Sequence, residues 1–374
     1  MCNINDIRDF ILKKTLKNGS RFGDLFPSSS HNGKYRLGTD MGWTGSFWPG
    51  VNYLCYEMSG NEFYLDTARK TRLRFADKLY KETATLHHDT GFLYTLSCVA
   101  DYKLTGNPDA KKLALDAAVI LTNRFNKNGN YIQAWPMWEG SFGKENRGRI
   151  IIDCMYNLPL LFWAWKETGN DMFFEAASSH ADTASKTLVR KDYSTFHTFL
   201  LDPDTGDAKY GATFQGYSDE SCWSRGQAWA IGGFAHAYGY TGNKKYLDIS
   251  RKCGLFFLEN LDEDLIPMWD FRLPQKNGEP RDTSAAAIAA SGILEINKYL
   301  SGAEKQYFMN AAHNMIKNLY DQYSTKDMEE EEGLILHGCG FRTENIDIDN
   351  PLIYGDYYFV EAVARLLGKD DMYW

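Results

Sequence analysis

Two kinds of apolar segment recur along the chain. One kind is apolar on nearly every side, as in residues 228–238 and 284–294, which is typical of a buried helix. The other kind carries apolar residues at positions i, i+3, i+4 and i+7, a spacing that predicts a helix with one face in solvent. In the stretch that starts at residue 110, these positions are Ala110, Leu113, Ala114, Ala117, Ala118 and Leu121.

A short glycine motif separates the buried segments from the half-exposed ones. Glycine suits the left-handed backbone that ends a helix, and an asparagine after it can cap the next helix. Each copy therefore predicts a helix–turn–helix joint. The six copies are Ser59-Gly60-Asn61, Thr105-Gly106-Asn107, Thr168-Gly169-Asn170, Thr241-Gly242-Asn243, Ser301-Gly302-Ala303 and Leu367-Gly368-Lys369.

Six joints predict six inner helices, with five outer helices after the first five joints. We expect the N-terminal helix, about residues 3–17, to serve as the sixth outer helix and close the ring. This predicts an all-α fold, an (α/α)6 barrel in which residues 1–374 form a single domain with little β structure. The inner helices are predicted near residues 47–58, 91–104, 155–167, 225–240, 283–300 and 356–367.

Charge and cysteine usage narrow the class of protein. A net charge of -8 argues against nucleic acid as a partner, because phosphate recognition needs clustered Lys and Arg. No apolar run reaches the eighteen residues needed to span a bilayer, so no membrane partner is expected. Seven scattered cysteines without a C-x-x-C pair, and a start without a secretory signal pattern, predict a cytoplasmic protein. The oligomeric state is left open.

The loops that lead into the inner helices should all open at one end of such a barrel. These connections are the long ones, and long loops in compact domains usually carry function. Aromatic faces suit sugar rings, although the same side chains can simply pack the barrel mouth. We predict a carbohydrate-binding cleft that includes Trp43, Phe47, Trp48, Trp135, Trp138, Trp223 and Trp229.

Four aspartates precede inner helices, where an aspartate commonly caps the helix N-terminus. Asp153 differs from the others because it lies among apolar residues, and an apolar pocket raises a carboxyl pKa and retains a proton for donation. A helix N-terminus would lower the same pKa. Position alone therefore does not select the catalytic acid among Asp89, Asp153, Asp282 and Asp356.

Other polar residues of these loops could recognise an anionic sugar. The Arg225 guanidinium can donate two hydrogen bonds to a carboxylate and stack on an indole ring. Alternatively, it can form an ion pair with Asp219 or Glu220. His87 and His88 beside Asp89, and also His197, could bind substrate or orient a carboxylate, or could be ordinary hydrogen-bonded loop histidines.

Several reaction classes lack sequence support. The chain contains no H-E-x-x-H motif, Walker A loop, dinucleotide glycine fingerprint or G-x-S-x-G elbow. We therefore expect no metal and no cofactor in the reaction.

Five segments, in order, resemble the unsaturated glucuronyl hydrolases of glycoside hydrolase family 88. The resemblance runs from about residue 37 to the C-terminus and implies the (α/α)6 barrel that the helix pattern predicts independently. The segments are DMGWTGSFWPG (40–50), HHDTGFLYTLS (87–97), RIIIDCMYNLPLLFWAW (149–165), ATFQGYSDESCWSRGQAWAIGGF (212–234) and IYGDYYFVEA (353–362).

The resemblance implies hydration of the C4=C5 double bond that polysaccharide lyases leave on a terminal uronate. Asp153 matches the family's catalytic acid, which delivers a proton to C4 and activates the water that adds at C5. Asp89 matches the family's second acidic residue, which binds sugar hydroxyls. The pocket positions that the resemblance assigns to substrate are Trp43, His88, Trp138, His197, Gln215, Trp223, Arg225 and Trp229, with Trp135 as the alternative to Trp138.

The chain departs from one pattern within the family. Members that favour sulfated glycosaminoglycan fragments resemble one another in a Ser-x-x-Ser-x-Lys motif, whereas residues 337–356 contain neither Ser nor Lys and hold Arg342 as the one fixed cation. We therefore expect an oligosaccharide partner with an unsaturated uronate, and a preference for unsulfated disaccharides from hyaluronan, chondroitin or a bacterial polysaccharide. An unsaturated rhamnogalacturonyl hydrolase, a sugar-binding toroid without catalysis, and an isomerase or epimerase on the same barrel are the competing interpretations.

Overall fold

Six inner helices form a closed ring. The computed structural model describes residues 3–138 and 140–374, and it describes the side chains of all of these except 141 and 142. Each inner helix packs against the inner helices before and after it, and the sixth packs against the first. They are Phe47–Ser59, Thr90–Tyr94 continued by a π-helical turn Thr95–Val99 and by Ala100–Thr105, Leu158–Thr168, Ser224–Thr241, Thr283–Asn297 and Ile353–Leu366.

Outer helices cover this ring and bury one face each. The N-terminal helix, Ile4–Phe22, packs against both the sixth and the first inner helices, so it closes the outer layer as expected. The predicted (α/α)6 barrel is therefore confirmed. The other outer helices are Glu62–Arg69 with Arg72–Lys81, Pro108–Thr122, Asp171–Thr187, Lys244–Glu259 and Gly302–Tyr323.

The first four glycine joints form as predicted. Their glycines have φ values of 67–69° and end the inner helix in the left-handed region. The asparagine of each joint accepts a backbone hydrogen bond from the first turn of the following helix. The joints at Gly302 and Gly368 differ, because the fifth inner helix already ends at Asn297 and Gly302 begins the next helix, while Leu367 caps the sixth.

The third inner helix starts later than predicted. A 3-10 turn, Ile152–Tyr156, takes the place of its expected first turn, and the α-helix begins at Leu158. Pro159 explains this start, because proline lacks the N–H that a helix interior needs and suits the first turn instead. As a result Asp153 lies on a separate turn before the helix.

The β structure is minor, as expected, and lies in the loops. Four small antiparallel sheets are present in the described ranges. The three-stranded one, here called the rim sheet, consists of Arg149–Ile151, Thr198–Leu201 and Ala208–Ala212. The two-stranded ones are Phe26–His31 with Lys34–Gly38, Phe125–Asn126 with Tyr131–Ile132, and Gly338–Phe341 with Ile346–Asn350, the last of which is here called the C-terminal hairpin.

Buried apolar side chains from Ile7 to Trp374 form one continuous cluster between and within the two rings. Six cysteines of the described ranges are free and buried, while Cys2 lies outside them. None of the helices in those ranges combines the length and the apolarity needed to cross a bilayer.

Candidate active site

Asp153 lies at the mouth of the barrel, on the 3-10 turn that follows the first strand of the rim sheet. The turn is tied to the second strand, since Ile152 N donates to His197 O over 3.0 Å. The Asp153 side chain is 14% exposed. Burial raises its pKa to about 7, and the opposing effects of the Arg225 charge and the Trp229 indole are smaller. Burial therefore outweighs any helix terminus, and Asp153 can hold a proton near neutral pH.

His197 faces Asp153 with a defined ring nitrogen. Its Nδ1 accepts hydrogen bonds from the backbone N–H groups of Phe214 and Gln215 at 3.0 and 3.1 Å. Burial lowers the pKa of His197 to about 3, so the ring is neutral and its proton must sit on Nε2. Nε2 lies 3.9 Å from Asp153 Oδ2, and neither atom has a hydrogen-bond partner within the described residues. A donor and a carboxyl oxygen thus face each other at a separation slightly longer than a hydrogen bond.

Asp89 is the second buried carboxyl group at this mouth. Burial raises its pKa well above the usual range, and the nearby charge of Asp153 raises it further. Its Oδ1 accepts a hydrogen bond from Asn157 Nδ2 at 3.2 Å. Asp89 therefore favours its protonated form while Asp153 is ionised.

Asn157 forms hydrogen bonds to both Asp89 and Asp153, and it was not among the residues predicted from the sequence. Its Nδ2 also donates to the backbone carbonyl of Asp153, and its Oδ1 accepts from Phe92 N at 2.6 Å. Gly91 allows this approach, because a Cβ there would lie 2.3 Å from Asn157 Cα. The signal that could have identified it is its place in the same RIIIDCMYN segment as Asp153.

Only one of the four aspartates caps a helix. Asp282 Oδ1 accepts from Ser284 N and Ala285 N at the start of the fifth inner helix. Asp89 has the N-cap position without a side-chain cap, and Asp153 forms no cap either. Asp356 lies inside the sixth helix and accepts from the backbone of the 324–336 segment. The capping interpretation is therefore wrong for these three.

Arg225 pairs with Asp282, so the expected alternative of an ion pair with Asp219 or Glu220 is wrong. Its Nη1 lies 2.6 Å from Asp282 Oδ2 and also donates to the carbonyl of Cys339, while Nη2 donates to Gly340. These bonds attach the C-terminal hairpin to the fourth inner helix. They use three of the five guanidinium N–H groups, and the described residues provide no acceptor for the other two.

The guanidinium of Arg225 is also sandwiched between aromatic rings. It stacks 4.5 Å from the ring centre of Trp223 and 5.2 Å from that of Tyr354. Tyr354, which the sequence analysis missed, in turn lies 5.0 Å from Trp43. A buried, oriented cation therefore forms one wall of the cleft, directly beside the predicted sugar-stacking residues.

His88 and Trp135 form the opposite wall. His88 is fully buried, and neither ring nitrogen has a partner in the described ranges. Trp135 lies 6.3 Å from His88 and 6.2 Å from His197 between ring centres, so it borders both histidines. Trp138 stacks on the outer side of Trp135 and is 40% exposed. Of the two alternatives, Trp135 is thus the nearer to the aspartates and Trp138 lies at the edge.

The remaining predicted residues complete the cleft. Trp223 lies 4.6 Å from the ring of His197, and the fully buried Trp229 packs on Phe92 as the floor. Half-buried Gln215 donates from Nε2 to Gly340 O at 3.3 Å, beside Arg225. The structure thus brings all ten sequence-predicted residues to one end of the barrel. A proton donor, neutral donors and a fixed cation surrounded by aromatic rings suit an acid-catalysed reaction on an anionic sugar.

Comparisons with known proteins identify the family of the chain. Residues 26–365 match the family model described as Glycosyl Hydrolase Family 88. The chain is 43% identical to the unsaturated glucuronyl hydrolase of Bacillus sp. (strain GL1), over 96% of both chains. It is similar to the crystal structure of that enzyme, with a TM-score of 0.91 at 42% identity over 95% of this chain and 94% of the other. The Streptococcus agalactiae enzyme of the same name gives a TM-score of 0.93 at 36% identity, over 100% of this chain and 95% of the other.

Proposed function

The chain belongs to glycoside hydrolase family 88, and from this premise we propose that it releases the 4,5-unsaturated uronic acid from the non-reducing end of lyase-generated oligosaccharides. The observation that carries the proposal is the buried Asp153 carboxyl, with a pKa near 7, facing the Nε2–H of His197 across 3.9 Å. The carboxyl group can supply a proton, and the carboxylate and the Nε2–H can hold a water, beside the same substrate atom. The names of the Bacillus and Streptococcus relatives support the same activity.

Asp153 performs both proton transfers of the hydration step. Its protonated carboxyl donates to C4 of the enol ether, which places positive charge on C5 and the ring oxygen. The carboxylate that remains stabilises this oxocarbenium ion and takes a proton from the water that adds at C5. The hemiketal then opens to a ketone, and the hemiacetal at C1 releases the aglycone. Asp153 is protonated again at the end.

Asp89 and the two histidines position the sugar around this carboxyl group. His197 donates from Nε2 to a substrate oxygen or to the attacking water, since its Nδ1 is already used by the backbone. Asp89 and the unpartnered nitrogens of His88 bind sugar hydroxyls on the opposite side. Because unpartnered buried polar atoms are costly, their hydrogen bonds to substrate contribute to binding.

Arg225 and Gln215 recognise the uronate carboxylate. Arg225 keeps two N–H groups for a ligand, and Asp282 with the hairpin carbonyls holds the guanidinium in one orientation. Trp43, Trp223, Trp229 and the Trp135–Trp138 pair provide the apolar surfaces for the sugar rings. This division explains how a chain of net charge -8 binds an anion.

We infer a preference for substrates whose aglycone is unsulfated. Arg342, the one cation of residues 337–356, is held by Glu279, with its Nε 3.0 Å and its Nη2 3.3 Å from the carboxylate oxygens. Glu279 thus already engages its Nε and Nη2, and residues 337–356 contain no second fixed cation that could bind a sulfate. We expect unsulfated unsaturated chondroitin disaccharide to have a higher kcat/KM than the 6-sulfated form, and the opposite order would contradict this assignment.

The competing activity is release from a rhamnose aglycone. Parallel rates on an unsaturated uronate–hexosamine and an unsaturated uronate–rhamnose disaccharide separate the two, and faster release from rhamnose would replace the proposed substrate. In D₂O, proton NMR of the product should show deuterium at C4. A first product that still contains the C4=C5 double bond after the aglycone has left would mean direct displacement at C1 instead of hydration.

The proposal also extends to the organisation and location of the chain. We propose that residues 1–374 act as a single catalytic domain, which the continuous apolar cluster from Ile7 to Trp374 supports. We further propose that the enzyme acts in the cytoplasm on imported oligosaccharides, which six free, buried cysteines support. Limited proteolysis that yields an active fragment would contradict the first statement.

A further inference from the structure

Three neighbouring side chains at the barrel mouth bring metal-ligating atoms together. His87 Nδ1 lies 3.4 Å from one oxygen of Asp89, and His88 Nδ1 lies 3.5 Å from the other. One donor atom from each residue fits within a set in which all atoms are at most 4.8 Å apart. No sequence motif predicted this cluster, because it depends on the turn that precedes the second inner helix.

These spacings suit a tetrahedral ion. Zn²⁺ binds imidazole nitrogen and carboxylate oxygen at about 2.0–2.2 Å, so two ligands of a tetrahedron lie roughly 3.3–3.5 Å apart. Each imidazole lies at this distance from one oxygen of Asp89, and a small rotation of the side chains would bring one donor atom of each residue, now within 4.8 Å of one another, around a common ion. Two imidazoles and a carboxylate are also the donor set that favours zinc and similar transition metals over Mg²⁺.

The state of the His88 imidazole supports ligation independently. His88 is fully buried, and neither of its nitrogens has a hydrogen-bond partner in the described part of the chain. His87 Nδ1 accepts a long hydrogen bond of 3.5 Å from Asp89 N, which a bound ion would replace.

A metal ion can reach the cluster from solvent. His87 retains 27% side-chain exposure. It lines a cavity of about 350 Å³ together with Asp89, Trp43, Asp40 and Lys78. Asp40 is exposed there and adds a carboxylate along the path. The open side leaves room for water as a fourth ligand.

We propose that His87, His88 and Asp89 form an inhibitory site for Zn²⁺ or a related divalent transition-metal ion. The ion takes the Asp89 carboxylate and the His88 nitrogens away from substrate hydroxyls. It also places two positive charges near Asp153, which disfavours protonation of the catalytic carboxyl. The proton transfers proposed above use Asp153 and water alone, so the ion acts as an inhibitor that competes with the sugar.

The test compares metal-free enzyme with two variants, His87→Gln in the cluster and His313→Gln on the exposed face of an outer helix. Calorimetry with ZnCl₂ should give one site on the wild type and on His313→Gln, with affinity at least tenfold weaker in His87→Gln. Zn²⁺ should raise the melting temperature in the same order. Inhibition, measured relative to each variant's own metal-free rate, should follow this affinity, be reversed by EDTA and be absent with MgCl₂.

Direct binding separates this inference from the proposed substrate, because it is measured without any sugar. Equal zinc affinity in the wild type and His87→Gln would overturn the site. Zinc that binds at His87 without competing with substrate would overturn its inhibitory role. Cobalt provides a further check, since Co²⁺ in the site should show the visible absorption of a tetrahedral complex, and an octahedral spectrum would contradict the geometry.

Discussion

At the scale of single residues, the balance between burial and charge at Asp153 sets the chemistry. Burial raises its pKa to about 7, and Arg225 offsets only part of this effect. The protonated form is the one that donates to C4, so it predominates below this pKa and disappears above it. We predict that kcat falls as pH rises through about 7. A kcat that stays constant from pH 6 to pH 9 would contradict Asp153 as the acid.

The ionisation of His197 should not change the rate between pH 5 and pH 7, because its pKa is lowered to about 3. A profile of kcat/KM across this range distinguishes the two groups.

The same burial means that ionised Asp153 lowers the free energy of unfolding. Its folded-state pKa is raised, so the folded protein loses stability relative to the unfolded chain as pH rises from about 4 to about 7. Asp153→Asn removes this titration. We predict that the variant is more stable than the wild type at pH 8 by about 1–3 kcal/mol, given about 1.4 kcal/mol per pKa unit, and that the gain shrinks at pH 5. Urea unfolding at both pH values measures it, and a gain independent of pH would refute the assignment.

Residue chemistry was only partly predictable from sequence. The apolar neighbours of Asp153 pointed to a raised pKa, but the outcome depended on a 3-10 turn that displaces it from the helix N-terminus. The ion-pair partner of Arg225 could not be predicted from sequence, because Asp282 is 57 positions away and contacts Arg225 only through the packing of two inner helices. Sequence neighbours such as Asp219 gave the wrong pair.

At the scale of elements, the contact between Gly91 and Asn157 sets the spacing of the two catalytic segments. A methyl group on Gly91 would overlap the Asn157 backbone, whose oxygen lies 2.4 Å from the position of that carbon. We predict that Gly91→Ala destabilises the protein by about 1–3 kcal/mol and lowers kcat more than tenfold. The reason is that Asn157 can no longer hold Asp89 against the Asp153 turn.

The control for this variant is Gly254→Ala, where the nearest atom is a ring carbon of Phe308 at 3.1 Å on an outer helix. It should keep the wild-type kcat. Equal kcat in Gly91→Ala and wild type, measured at saturating substrate, would show that this close contact does not position the acids.

Elements themselves were largely predictable, because glycine and asparagine mark where helices end and begin. This worked at Gly60, Gly106, Gly169 and Gly242. It failed at Gly302, where no asparagine follows and the preceding helix ends five residues earlier. The joint motif therefore needs both residues to fix a boundary.

At the scale of the whole molecule, the barrel is closed by a helix from the opposite end of the chain. Ile11 of the N-terminal helix is completely buried in the common core. We predict that Ile11→Ala lowers the free energy of unfolding by about 2–5 kcal/mol in one cooperative transition. The exposed Leu16 on the same helix is the control, and Leu16→Ala should change stability by less than about 1 kcal/mol.

Chemical unfolding followed by circular dichroism and by tryptophan fluorescence checks this prediction. Two separate transitions in Ile11→Ala would indicate that the helix unfolds independently and that the ring does not depend on its closure.

The most direct measurement is the ultraviolet absorbance of the conjugated uronate in unsulfated unsaturated chondroitin disaccharide, with wild type and with Asp153→Asn. The account predicts rapid loss of absorbance with the wild type and almost none with the variant, although the variant folds normally. Loss of absorbance at equal rates with both proteins would remove Asp153 from the mechanism. No loss with the wild type would contradict the proposed substrate.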